Sequence, residues 1–139
     1  MDQSRSQQGL TIIRTVLVLL SAILLVLVFV MALSAARSSF RDYKRLKDMQ
    51  QVAAALKVYH EYYQKYPEAV SGQPKGLIPT YLGFWPEAPT PPDGTCDTAT
   101  NNYSYEQLDK GSSYSLNFCL GHKTEGFNAG YYNLKPTIQ

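Results

Sequence analysis

The hydrophobic pattern is dominated by an uninterrupted apolar run from residue 15 to residue 36. Its 22 residues include no charge and only three polar side chains, those of Thr15, Ser21 and Ser34. An α-helix of this length spans about 33 Å, close to the hydrocarbon thickness of a bilayer. Within lipid, a single segment satisfies its backbone hydrogen bonds only as a helix. The run therefore predicts a transmembrane helix, despite its many β-branched valines.

Two other interpretations of this run compete with a membrane span. A buried core helix would need cover on every side, and a remaining chain of about a hundred residues is too small to provide it. A secretory signal peptide has a shorter apolar region, of about 7–15 residues. The small residues at 32–36 (Ala-Leu-Ser-Ala-Ala) nevertheless resemble a signal-peptide cleavage site, so this alternative stays open.

The second half of the predicted helix is amphipathic. No Gly or Pro occurs between Leu10 and Tyr66, and Pro67 supplies the stop, so one continuous helix is predicted. Apolar side chains recur at spacings of three and four, at Phe40, Tyr43, Leu46, Met49, Ala53, Leu56, His60 and Tyr63. The opposite face carries Arg41, Lys44, Lys47, Asp48, Gln51 and Lys65. The stripe is too interrupted for a coiled coil, so packing on a small sheet is expected.

Beyond this helix the pattern changes to loop and strand. Residues 68–92 are rich in Pro and Gly and predict a surface loop with one short helical or apolar patch at Leu77–Trp85. Strands are predicted at 102–107, 113–120 and 130–135, with a hairpin turn between the first two. In the second strand, one face alternates strictly as Tyr114, Leu116, Phe118 and Leu120. The predicted fold class is α+β, with a long N-terminal helix on a small antiparallel sheet.

The only two cysteines, Cys96 and Cys119, fall in the strand-and-loop part of the chain. Such a pair is typical of a disulfide in an oxidising compartment, although two reduced cytosolic thiols fit the same count. Cys119 is predicted on the strand face away from the helix, where the loop that carries Cys96 is expected to cross the sheet. Closing this loop would stabilise the fold by roughly 3 kcal/mol in the chain-entropy model.

Charge is distributed unevenly along the 139 residues. Residues 37–66 carry seven Lys or Arg against three Asp or Glu, whereas residues 67–139 carry four against seven. This distribution excludes a uniformly basic nucleic-acid-binding domain and a disordered polyampholyte, and no direct nucleic-acid site is evident. Five basic residues closely follow the apolar run and two precede it, so the positive-inside rule places the C-terminal part in the cytoplasm. The cysteine pair favours the opposite orientation.

No constellation of residues points to catalysis, a metal or a cofactor. His60 lies on the helix stripe and His122 in a loop, without the Cys or carboxylate spacing of a zinc site. Asp93, Asp97 and Asn101 lie four apart, but EF-hand spacing is missing and a solvated loop is expected. Phosphate-binding glycine motifs and a nucleophile elbow are missing too. The chain is predicted not to be an enzyme and to need no cofactor.

The order of these segments resembles that of type IV pilins and pseudopilins. In that family a short polar leader ends in Gly, and an apolar residue, Thr, two aliphatic residues and Glu follow. The same pattern is carried here by Gly9, Leu10, Thr11, Ile12 and Ile13. The Tyr-rich helix end, the phrase YLGFWPEAPTPP and the ending from YSYEQL to AGYY are similar to parts of small pilins with one disulfide. The resemblance covers nearly the whole chain.

This resemblance implies a pilin-like fold with a leader, a transmembrane and filament-core helix, the amphipathic half of that helix, and a globular head, at 1–9, 10–36, 37–67 and 68–139. A prepilin peptidase would cut after Gly9 and methylate Leu10. The mature chain would wait in the inner membrane among lipids, at an assembly platform, with its head outside the cytoplasm. It would then join copies of itself or other pilins in a periplasmic or extracellular helical filament.

Arg14 departs from the family pattern, which has Glu at this position. The resemblance assigns Thr11, Ile12, Ile13 and Arg14 to assembly. The family's Glu offers a carboxylate to a neighbour's N-terminal amine, whereas the guanidinium of Arg14 would repel that amine. Two alternatives to an ordinary pilus subunit follow: a minor or tip-located pseudopilin of type II secretion, and a monomeric single-pass protein that displays a small binding domain. A further alternative is that Arg14 is only a charge that flanks the membrane anchor and helps to set its orientation.

Overall fold

The computed structural model describes residues 3–136, with side chains described from Ile12 to Pro136. The elements follow in the order α1 (Gln3–Tyr63), β1 (Ala69–Val70), β2 (Gln73–Pro74), β3 (Ser104–Leu108), β4 (Ser113–Leu120) and β5 (Gly130–Leu134). The chain divides into two compact units, Met1–Arg37 and Ser38–Gln139, and every strand lies in the second. The architecture is α+β, as predicted.

The N-terminal end of α1 lies further upstream than predicted. The helix begins at Gln3, whereas the sequence pattern predicts a start at Leu10. The described part of the predicted leader (1–9), residues 3–9, therefore continues into the helix without a break. The side chains of Gly9, Leu10 and Thr11 lie outside the described residues.

The C-terminal end of α1 is at Tyr63, three residues before the predicted end at Tyr66. A residue that precedes proline avoids the helical conformation, so Tyr66 is unable to carry the helix up to Pro67. Gln64 adopts a left-handed conformation with φ of 55°, and its N–H donates to the carbonyl of His60 at 2.8 Å. The N–H of Tyr66 donates instead to the turn that links β3 and β4.

The core of the second unit forms between α1 and the three-stranded sheet. From α1 it includes Leu46, Met49, Val52, Ala55 and Leu56. From β3 and β4 it includes Tyr105, Tyr114, Leu116, Phe118 and Leu120, which confirms the alternating face predicted for β4. The loops add Tyr66, Leu77, Leu82 and Tyr103. The predicted patch at Leu77–Trp85 thus contributes to the core, but as a series of turns rather than a helix.

The predicted helix stripe is wrong at both ends. Phe40 and Tyr43 at one end and Tyr63 at the other are exposed rather than packed on the sheet. The buried face passes instead through Asp42 and Arg45, both completely buried. Apolar periodicity misses this arrangement because it assigns charged side chains to the surface, and here two of them satisfy each other inside the protein.

The main sheet has the strand order β3-β4-β5 and is antiparallel throughout. The strand predicted at 113–120 is confirmed, and the other two differ from prediction by one or two residues at their ends. Leu108 lies opposite Ser113 across the predicted hairpin turn, and Phe118 lies opposite Tyr132. The two-residue ribbon β1-β2 is a feature that the sequence pattern does not predict. Gly72, with φ of 74°, lies in the turn between its strands.

Cys96 and Cys119 form a disulfide, with their Cα atoms 5.8 Å apart. Cys119 is buried although it lies on the outer face of β4, because the loop around Cys96 covers it. That loop is also hydrogen-bonded to the end of β4. Thr95 donates through Oγ1 to the carbonyl of Leu120 at 2.9 Å, and through its N–H to that of Gly121 at 3.2 Å. The expected loop across the sheet is thus present.

This loop approaches β4 so closely that two glycines are required at the crossing. A Cβ on Gly94, where φ is 59°, would collide with the carbonyl oxygen of Gly121. Conversely, a Cβ on Gly121 would lie 2.5 Å from the carbonyl oxygen of Asp93. Since both obstacles are backbone atoms held by the disulfide and its neighbouring hydrogen bonds, a side chain at either position would force the loop away from the sheet.

We predict that Gly121→Ala lowers the free energy of unfolding of the second unit by about 1–3 kcal/mol, the usual cost of overpacking. Gly83→Ala is the matched control, because Gly83 also lacks a positive φ and has no atom within 4 Å of its missing Cβ. Chemical denaturation of the full chain in detergent, followed by circular dichroism, measures the difference. Equal stability of the two variants would contradict the close crossing of loop and sheet.

Candidate anchoring segment and buried charge cluster

The first unit presents a continuous apolar helical surface. Every large apolar side chain from Ile12 to Leu33 is between 40% and 71% exposed. Among the described residues, α1 is the one helix long and apolar enough to cross a membrane, and the apolar window is not buried within the chain. Core helices of soluble proteins and signal sequences share such length and composition, but the apolar side chains of this segment are uncovered, unlike those of a core helix.

The serines of this segment bond within their own helix. Ser21 donates from Oγ to the carbonyl of Val18 at 2.8 Å, and Ser34 donates to that of Met31 at 2.9 Å. A hydroxyl bonded to the preceding turn needs no partner in lipid or on another helix. The segment therefore presents mainly apolar side chains to its surroundings, and these two hydroxyl donors are already used.

The residues assigned to processing and assembly lie at the N-terminal end of this segment. Gly9, Leu10 and Thr11 have helical backbone, while Ile12 and Ile13 are exposed. Arg14 is also exposed, and it forms no ion pair with any residue whose side chain is described. Cys96 and Cys119 belong to the second unit. The predicted residues thus form two separate groups.

The second unit contains a cluster of charges that the sequence pattern does not predict. Its members are Arg41, Asp42, Arg45 and Asp93. The Arg45 guanidinium is completely buried and donates through Nη1 to Asp42 at 2.6 Å and to Asp93 at 3.0 Å. Through Nη2 it donates to the carbonyl of Pro89 at 3.3 Å and to the side chain of Asn101 at 2.8 Å. Four donors are therefore matched, whereas Nε has no partner within the described residues. This charge holds the long loop between β2 and β3 against α1.

Asp42 is the acceptor at the centre of the charge cluster. One carboxylate oxygen accepts from Arg45 and from the N–H of Gly121, the latter at 2.7 Å. The other accepts from the N–H of His122 at 2.9 Å and lies 3.0 Å from Nδ1 of its ring. We place a proton on Nδ1, because an unprotonated nitrogen would turn its lone pair toward the carboxylate. Asp42 thus ties α1 to the chain just beyond β4.

Asp93 brings a second arginine into the cluster. Arg41 donates to Oδ2 of Asp93 through Nη2 at 2.6 Å and through Nε at 3.2 Å. Burial on its own would raise the pKa of the Asp93 carboxyl, but hydrogen bonds from Arg41, Ser38 and Arg45 outweigh it and lower this pKa. Asp93 therefore stabilises the fold above the ordinary carboxyl pKa, and this stabilisation is lost as pH falls through the lowered value.

A smaller polar contact continues the same side of α1. Tyr103 donates from its hydroxyl to Oδ2 of Asp48 at 3.1 Å, and Lys44 pairs with the same oxygen at 2.6 Å. Burial, reinforced by the Asp48 charge, raises the pKa of Tyr103 far above its usual range. Tyr103 therefore keeps its proton and is a hydrogen-bond donor at neutral pH.

These contacts correct two expectations from the sequence. Arg41 and Arg45 belong to the basic stretch after the apolar run, yet both form ion pairs with carboxylates inside the second unit. Asp93 and Asn101, which the spacing placed in a solvated loop, bind those arginines instead. Among the described residues no group of three or more His, Cys, Asp or Glu is arranged to hold a metal ion.

Ser38, Asp42 and His122 are residue types found together in nucleophilic catalysis, but their geometry is wrong for it. Ser38 Oγ lies 2.9 Å from Nδ1 of His122, the same nitrogen that Asp42 contacts. A catalytic histidine instead bonds the nucleophile and the carboxylate through opposite ring nitrogens. The three side chains therefore position the loop after β4 and do not form a proton relay.

We predict that Asp42→Asn destabilises the second unit by about 3–5 kcal/mol, the usual cost of leaving a buried charge without its partner. The new amide would also turn N–H groups toward donors of Gly121 or His122. Glu68→Gln makes the same change in an exposed pair with Lys75 and should cost less than about 1 kcal/mol. Thermal and denaturant unfolding of the full chain in detergent compare the two. Similar losses would show that the cluster is not a stabilising centre.

No family model matches this chain, and comparisons with curated proteins and with solved structures also find no match. The features that can be stated of this chain therefore come from its own residues. The chain has a long α-helix with an exposed apolar segment, and a small antiparallel sheet whose covering loop is closed by a disulfide.

Proposed function

We propose that this chain is a structural subunit of a type IV pilus-like filament, anchored in a membrane by its apolar segment before assembly. The observation that carries the proposal is that α1 contains both an exposed apolar segment and the residues that pack on the sheet. The motif Gly9-Leu10-Thr11-Ile12-Ile13 at the start of that segment adds support from the sequence.

The exposed segment requires apolar surroundings, and lipid and a bundle of similar helices both supply them. Moving it from one to the other gains little hydrophobic energy, since lipid tails are as apolar as leucine side chains. The internal hydrogen bonds of Ser21 and Ser34 leave these hydroxyls little to offer a neighbour. Assembly of this helix would therefore depend on close van der Waals packing, with help from contacts between heads.

The proposal has consequences for processing and location. A prepilin peptidase would cut between Gly9 and Leu10 and methylate the new amine. An inner-membrane assembly platform would then move the mature chain from lipid into the filament. The Cys96–Cys119 disulfide supports a head on the oxidising side of the membrane, so that the filament is periplasmic or extracellular. This role is structural and requires neither a catalytic centre nor a cofactor.

A minor pseudopilin of type II secretion is the second candidate, and Arg14 is the observation that favours it. Its exposed guanidinium replaces a carboxylate that would pair with the N-terminal amine of a neighbouring subunit. A subunit at the tip has no neighbour above it and needs no such carboxylate. A monomeric single-pass protein with a small binding domain is the remaining rival, and it predicts no filament.

We expect Gly9→Val to leave the chain uncleaved but still inserted in the membrane. A side chain beside the cleaved bond would obstruct the peptidase, whereas the apolar segment that drives insertion is unchanged. Intact-mass measurement of the membrane fraction, in cells with an active prepilin peptidase, distinguishes precursor from mature chain. Gly83→Val is the control, because Gly83 lies in open space in the other unit. A parent chain that still starts at Met1 would contradict processing.

Arg14→Glu should increase the amount of this subunit in sheared surface filaments, since it restores the carboxylate of the family pattern. Quantitative immunoblotting of the sheared fraction against the membrane fraction measures incorporation. Arg5→Glu is the matched control, because the same charge change then falls within the predicted leader. A lower incorporation than in the parent would favour the tip pseudopilin, and no shearable filament in any variant would favour the monomeric protein.

A further inference from the structure

One face of α1 in the second unit is exposed and mixes aromatic with basic side chains. Phe40, Tyr43, Lys44 and Lys47 follow one another at spacings of three, one and three, so they share one side of the helix. The predicted placement of the two lysines on the face opposite Phe40 and Tyr43 is therefore wrong. The Phe40 ring is 68% exposed and that of Tyr43 is 44% exposed. We name these four residues the aromatic-basic stripe. It is distinct from the buried face that passes through Arg45.

The lysines of the aromatic-basic stripe are held close to the helix surface. Lys47 Nζ lies 5.2 Å from the centre of the Tyr43 ring and contacts Gln50 at 3.1 Å and Glu125 at 3.5 Å. Lys44 pairs with Asp48 at 2.6 Å. Two carboxylates thus offset much of the positive charge. The aromatic rings, rather than a net charge, are therefore the feature of this surface that requires an explanation.

Its position along the chain identifies the surroundings that such a surface suits. Phe40 and Tyr43 come four and seven residues after Ala36, the last residue of the apolar run. At a rise of about 1.5 Å per helical residue, Phe40 lies about 6 Å beyond Ala36 and Tyr43 about 10 Å beyond it. Phe40 therefore falls within a headgroup layer of roughly 5–8 Å, and Tyr43 lies at the aqueous edge of that layer. Aromatic rings concentrate in that layer.

We propose that the aromatic-basic stripe is a lipid-contact surface whose Phe40 end lies in the headgroup layer before assembly. The Phe40 ring contacts the glycerol region and the Tyr43 ring lies at the aqueous edge of the layer, while Lys44 and Lys47 keep their carboxylate partners. This inference rests on the membrane-anchoring part of the proposed function and not on filament formation. The occupant is lipid rather than another subunit, because Phe40 follows the apolar run by only four residues in sequence, and before assembly that run lies in lipid under the proposed function.

Site-directed fluorescence on the full chain in phosphatidylcholine vesicles tests the proposal without any partner protein. The only native tryptophan, Trp85, is first replaced by Trp85→Phe, and Phe40→Trp then places a single probe in the stripe. A nitroxide on the lipid headgroup reports contact with the headgroup layer. We expect strong quenching and blue-shifted emission, as for a ring removed from water.

The matched control is Tyr62→Trp in the same Trp85→Phe background. Tyr62 also lies on α1 and is 74% exposed, but it is 26 residues beyond Ala36. Its probe should show water-like emission, ready quenching by aqueous iodide, and several-fold less headgroup quenching than the Phe40→Trp probe. Equal headgroup quenching at both positions, or ready iodide quenching of the Phe40→Trp probe, would overturn the proposal.

A third variant separates failure of this inference from failure of the anchor. Leu25→Trp, again with Trp85→Phe, places a probe in the middle of the apolar segment, where Leu25 is exposed. Quenching of this probe by lipids brominated deep in their acyl chains shows that the segment is inserted. Deep quenching without headgroup quenching at Phe40→Trp would overturn the lipid-contact surface alone. Loss of deep quenching would overturn the anchoring on which both proposals rest.

Discussion

The burial of Arg45 imposes the strictest requirement on the second unit. A guanidinium taken out of water is strongly destabilising unless its donors meet acceptors of suitable charge and geometry. Asp42 supplies the nearest charge from the same helix, and Asp93 and Asn101 supply acceptors from a distant loop. The loop path around Pro89 is thereby fixed against α1. A chain without these partners would have to expose this part of the helix.

The surface of α1 is partly covered in the second unit and exposed in the first. In the second unit α1 is half covered by the sheet, and even charged residues such as Asp42 are buried there. In the first unit the same helix leaves its apolar side chains uncovered, while its serines bond to their own backbone. A surface of that kind is unfavourable in water. This contrast between the units supports the proposal that the chain is a subunit that is first anchored in a membrane and later packs with other subunits.

Local patterns predicted the elements better than the long-range contacts. The strict alternation of Ser113–Leu120 predicted β4 correctly, because one face of that strand is buried along its whole length. Pro67 located the end of α1 to within three residues. Local patterns do not reveal the charge cluster, because Arg45 and Asp42 bind loop partners that are 44 to 80 residues away in sequence. One feature of the sequence does point to the buried pair: Asp42 and Arg45 have i,i+3 spacing and lie on the same helix face as Met49.

The arrangement around Cys96 bears on how the loop is held before oxidation. Asp93 and Asn101, on either side of this cysteine, are both bonded to Arg45, independently of either sulfur atom. A reduced chain with this cluster intact would keep the loop attached to α1 and the two thiols near each other. Oxidation would then join two thiols that the charge cluster already holds near each other.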